Sequence, residues 1–156
     1  MKATLPKQIP KPNPITFYIS PSNLKIYNPG QRIPNFKIRV ELPDDTFSVE
    51  KDFNGTFTVE SSEMDIKTID LQLVRVENLE FGGESKREAT EVQYIQIAER
   101  NVLKDWEIPF SMMFPRHFTC PSFTYKEFNL EFQVNFVLIL EAGFKITHNI
   151  PIKIIR

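Results

Sequence analysis

Cysteine is nearly absent: the chain has a single one, Cys120, so no internal disulfide can form and the fold must be held by its core. That suits a reducing compartment, the cytosol being the simplest. Histidine is scarce as well, with His117 and His148 far apart and without the further ligands a metal site needs. Charge of one sign is missing, since 19 basic and 20 acidic residues leave a net charge of −1. Neither nucleic acid nor an anionic membrane is therefore expected as the main partner. No apolar run approaches the ~20 residues of a membrane span, and the first ten residues lack the continuous apolar stretch of a secretory signal. Any membrane association is expected to be peripheral. Helical periodicity and internal repeats are absent too, and nothing in the pattern calls for a cofactor.

What remains is a β-forming composition. At 156 residues the chain is of one-domain size, able to bury about 70% of its unfolded surface. Fourteen phenylalanines and 12 prolines describe short strands separated by breakers. Residues 1–14, with Pro6, Pro10, Pro12 and Pro14 among lysines, read as an extended linker or edge segment. Ile15, Phe17 and Ile19 then alternate with polar neighbours, and Phe36–Leu42 alternates strictly between apolar and charged positions. Asn54-Gly55 predicts a hairpin turn ahead of the strand Thr56–Glu60. Ile69, Leu71 and Leu73 change phase to Val74 and Val76, which predicts a bulge or a strand that passes from one sheet environment to another. Gly82-Gly83 with Glu84–Glu88 predicts a mobile loop. Trp106–Met112 reads as an edge strand, because Pro109 cannot donate to a ladder. Leu130–Leu140 is apolar at every even position, a central strand, and a turn at Glu141-Ala142-Gly143 leads into a last strand running to the end. The shared strand phase nominates Phe36, Ile38, Val40, Phe57, Val59, Ile69, Leu71, Phe132, Val134, Phe136, Leu138, Ile146 and Ile152 as core. The whole pattern predicts an all-β, antiparallel two-sheet sandwich.

Several residues imitate chemistry. Cys120 lies three residues from His117, but no orienting or oxyanion motif accompanies them, and a small buried hydrophobe explains the thiol. The acidic stretch Glu60–Asp65 lacks the central glycine and alternating oxygen ligands of a calcium loop and reads as a solvated turn. Asn54-Gly55-Thr56 matches a glycosylation sequon, yet turn geometry already accounts for it. Trp106 is expected to be a packing residue, with an interface anchor as the alternative. No nucleophile, base and stabiliser assemble, so no enzymatic activity is expected.

Four stretches carry a family resemblance: Val59-Glu60-Ser61-Ser62-Glu63, Ile69 to Glu77, Ala89 to Ala98, and Phe114-Pro115-Arg116-His117-Phe118-Thr119-Cys120-Pro121. In that order they resemble the C-terminal half of the vacuolar protein sorting 26 proteins, and within them the Down syndrome critical region protein 3 subgroup. The resemblance implies an arrestin-like, immunoglobulin-like β-sandwich over residues 15–156, with 1–14 as the linker from a preceding sandwich. It further implies a non-enzymatic subunit of retriever, a retromer-like endosomal coat that recycles membrane cargo. The partners so implied are a large α-solenoid subunit, bound directly, and a phosphoesterase-like small subunit and a sorting nexin in the same assembly. The location implied is cytoplasmic, peripheral on endosomes. In the retromer relatives the solenoid docks at the end of the strand corresponding to Val92–Ala98, with a hydrophobic pair aligning to Gln96 and Ile97. The expected docking residues are therefore Gln96, Ile97, Ala98, Glu99 and Arg100, with a polar residue in the first position of the pair. A general arrestin-like adaptor for receptor tails is the alternative.

Overall fold

The computed structural model describes residues 14–21, 34–99, 102–115, 119–143 and 145–156. The alternation read from the sequence becomes two packed sheets. The smaller has the order β1-β2-β4-β7 and is formed by β1 (Ile15–Ile19), β2 (Phe36–Leu42), β4 (Phe53–Ser62) and β7 (Glu107–Met112), all antiparallel. The larger runs β3-β10-β9-β5-β6, from β3 (Thr46–Ser48), β10 (Lys145–Ile155), β9 (Phe128–Leu140), β5 (Ile66–Phe81) and β6 (Glu84–Glu99). Where β10 leaves β9, the short β8 (Phe123–Tyr125) takes its place. The linker expected at residues 1–14 lies almost wholly outside the described residues.

Period 2 sorts each strand into a core face and an outer face. On β2, Phe36, Ile38, Val40 and Leu42 are buried, while Lys37 and Arg39 face outward and reach Glu60 at 3.5 and 3.2 Å. Such surface pairs add little stability. Every residue nominated for the core is buried. The sheets are joined by rings: Phe136 of β9 meets Phe17 of β1 and Phe110 of β7 edge to face, at 6.1 and 5.6 Å, and Phe53 links Phe47 to Phe110. Edge-to-face contact puts the positive ring rim against the negative face.

Four details differ from the sequence reading. Asn54-Gly55 is no turn; both residues lie inside β4, with Gly55 opposite Phe110. An added Cβ there would sit 2.5 Å from the Glu41 carbonyl oxygen and 2.8 Å from the Phe110 ring, so glycine serves close approach rather than a positive φ. Gly82 and Gly83 do form a tight turn, with φ of 59° and 83°, and the charged run after them is strand β6 paired back to β5, not a loop. The phase change in β5 does fall at a bulge, between Leu73 and Val74 of its ladder with β6, but the extra residue is on β6, since β5 stays in register with β9 from Thr68 to Leu79. Finally, β3 pairs with β10 in parallel, and neither β3 nor β8 was read from their three-residue spans. A strand that short offers too few positions for a period to register.

Candidate functional site

Strand β6 is the outermost strand of the large sheet, and among the described residues its only ladder is with β5. It carries two extra residues, Val92 between the Leu73–Gln93 and Val74–Glu91 pairs and Ile97 between the Ile69–Ala98 and Asp70–Gln96 pairs. Bulges of this kind twist an edge away from accidental strand pairing. At the second bulge strict alternation is suspended, so adjacent Ile97 and Ala98 both pack half-buried against the core. Gln96 and Glu99 stay exposed, and the Gln96 side-chain amide donates to the Glu99 carboxylate at 3.0 Å. Arg100, the last expected docking residue, lies outside the described residues.

Beyond β6 the chain crosses from the large sheet to the small one. The Val102 amide donates to the Ile66 carbonyl at 3.4 Å and the Asp105 amide to the Val59 carbonyl at 2.8 Å, while Lys104 bridges beside Val59. Asp105 takes a left-handed φ of 66°, a conformation held only where the surroundings over-determine it. Between these ties Leu103 is 52% exposed, and just after them Trp106 is 64% exposed. The expectation that Trp106 packs inside is thus corrected: β7 starts at Glu107, and the indole projects before the strand begins. Leu103 went unnoticed in the sequence, because a lone leucine in an irregular segment gives no period from which to infer its side.

The outer face of β5 and β6 is polar. The Tyr94 hydroxyl donates to Asp70 Oδ2 at 2.5 Å. A chain of amides crosses four strands, Asn149 to Asn135 at 2.7 Å, Asn135 to Gln72 at 2.9 Å and Gln72 to Glu91 at 2.9 Å. Desolvation, then the bond to Asp70 and the charge of that carboxylate, push the Tyr94 phenol up to about 12. A pKa raised above its unfolded value stabilises the fold below pH ~10 and loses that contribution as the pH climbs toward 12. Subtracting the alkaline stability curve of Tyr94→Phe from that of the wild type should show a loss confined to this window. A flat difference would mean the bond to Asp70 does not hold in solution.

Cys120 is exposed rather than the small buried hydrophobe expected, and His117 lies outside the described residues. His148 is half-buried, stacked on Phe17 at 5.7 Å, and burial lowers its pKa. Among the described residues no group of three His, Cys, Asp or Glu side chains could hold a metal, and no helix is long and apolar enough to cross a membrane.

Two sheets closed over one phenylalanine-rich core, with a bulged outer strand running into a tied crossing loop, define an arrestin-like β-sandwich module. The family model for Vacuolar protein sorting-associated protein 26 matches residues 36–143, and the chain belongs to that family. It is 41% identical over 157 residues to Vacuolar protein sorting-associated protein 26C of Dictyostelium discoideum, which places it with that subgroup; the alignment covers 99% of this chain and 51% of the relative. The chain therefore spans about half the length of that curated relative. Among solved structures, the sporulation control protein Spo0M of Bacillus subtilis superposes with a TM-score of 0.59 at 20% identity, over 76% of this chain and 49% of that one, and so shares the fold.

Proposed function

We propose that the chain is the C-terminal sandwich of a non-enzymatic interaction subunit of a retriever-type endosomal coat, supporting retrieval and recycling of membrane cargo. Membership of a vacuolar protein sorting family supports a sorting role in general. The docking surface for the large α-solenoid subunit is the end of β6, Gln96 to Arg100, extended by Leu103 and Trp106. The phosphoesterase-like subunit and the sorting nexin join through the same assembly, which sits in the cytoplasm, peripheral on endosomes.

The observation carrying this reading is the exposed Trp106 on a loop tied at Ile66 and Val59, a few residues beyond Gln96 and Glu99. A large aromatic held rigidly in solvent gives contact area at low ordering cost, as interface anchors do. Ile97 is a poorer probe: it is half-buried against the core, so Ile97→Asp would lose stability and binding together. Trp106→Ala separates them. Solenoid affinity should fall by about 2 kcal/mol or more. The thermal midpoint should stay in place. A wild-type chain that fails to bind the solenoid, or binds a receptor-tail peptide in its stead, would overturn the reading.

A further inference from the structure

Asp70 is a buried carboxylate on the wrong side of its sheet. Its neighbours Ile69 and Leu71 point into the core, so Asp70 points outward from β5, yet it is only 5% exposed. Val137 of β9 and Gln96 of β6 flank it in register, and Tyr94 supplies the bond to Oδ2. Among the described residues Oδ1 has no hydrogen-bond partner, and neither has Thr68 Oγ1, two residues away along the same face. A buried carboxylate oxygen without a donor is costly, and such an atom calls for an explanation. The surrounding groups on this face are Gln96, Glu99 and Glu91, and Lys145 lies two strands away on β10. Among the described residues no salt bridge reaches Asp70.

We infer that Asp70, with Tyr94, Gln96 and Glu99, is a receptor for an arginine side chain of the docking partner. The inference deepens the solenoid-docking reading and rests on it, since Gln96 and Glu99 are two of that surface's residues. The chemistry selects arginine. A planar guanidinium can donate to Asp70 Oδ1 and to the Gln96 and Glu99 oxygens from one fork while its face stacks on the Tyr94 ring. An ammonium group offers the charge without the plane. An anionic lipid would be repelled by Glu91 and Glu99. Oδ1 is sealed in the free protein, so entry requires the exposed Gln96 side chain to turn aside while Tyr94 keeps its bond to Oδ2.

The test measures binding of full-length protein to the purified solenoid subunit as a function of salt. Asp70→Asn, which keeps the shape and removes the charge, should weaken binding at least tenfold and flatten its salt dependence while the thermal midpoint holds. Tyr94→Ala, which removes the stacking ring, should weaken binding similarly. Should Asp70→Asn fail to fold, Gln96→Arg decides the matter. A guanidinium supplied in cis over Asp70 should raise the thermal midpoint and cost at least tenfold in affinity. Wild-type affinity and salt dependence in Asp70→Asn, or in a folded Gln96→Arg, would overturn the arginine site and leave the docking surface standing. Failure of the wild type to bind would remove the docking surface itself, and this site with it.

Discussion

Phe136→Ala is expected to cost ~3–5 kcal/mol, the range for deleting a fully buried phenylalanine and leaving a cavity. Phe136 is fully buried on the central strand β9, and its ring meets one ring from each side of the opposing sheet, Phe17 and Phe110. Truncation therefore removes both transfer energy and the contact that joins the two layers. In a chain of this size each kcal/mol moves the melting midpoint by about 2–4 °C, so a fall on the order of 10 °C should appear by calorimetry. Phe81→Ala is the control. Phe81 is 74% exposed at the tip of the β5–β6 hairpin, and its loss should change stability by no more than ~0.5 kcal/mol. An unmoved midpoint in Phe136→Ala would show that the sheets are held together elsewhere.

Gly55→Ala is the second large effect, and it adds atoms where Phe136→Ala removes them. The new methyl would fall 2.5 Å from a backbone oxygen of β2, 2.8 Å from the Phe110 ring and 2.9 Å from Leu42. A side chain could turn away, but the Glu41 carbonyl belongs to the strand paired with β4, so relief means prising β2 from β4. Overpacking of this sort costs ~1–3 kcal/mol and more when backbone must shift. Gly55→Ala should sit at or above the top of that range, read as a drop in the urea midpoint at constant m-value. Gly82→Ala makes the comparison informative. No atom lies within 4 Å of its added Cβ, and only its φ of 59° opposes the change, so the loss should be about 1 kcal/mol. Equal losses at the two sites would mean that the close approach at Gly55 relaxes freely.

Both predictions touch places where reading the chain worked unevenly. The core strands were legible because burial on one face imposes period 2, and β2 and β9 keep that period along their length. Asn54-Gly55 misled because the pair has two uses, a positive φ in a turn or a missing Cβ beneath a neighbouring strand, and the local sequence is the same for both. Gly82-Gly83 is the opposite case: the turn was visible, but the charged residues after it looked like a loop. On a hairpin arm exposed on both faces, no buried side exists to write an alternation into the sequence.

The candidate site divides along the same line. The end of β6 could be nominated from motif order, and the exposed Gln96 and Glu99 lie there. The bulge that turns Ile97 inward, the exposure of Trp106 and the burial of Asp70 on an outer face could not be read, because each depends on a neighbour distant in sequence. Ile97 is placed by the bulge in the ladder between β6 and β5, Trp106 by the bond from Asp105 to Val59, and Asp70 by Val137 and Tyr94. By itself, then, the sequence determined the all-β class, the core and the family, since periodic burial and local motifs are written within single strands. Only the tertiary structure decided which strand lies outermost, which strand carries the bulges and which polar groups are sealed in. Those are properties of pairing between strands, and one strand's pattern does not encode its partner.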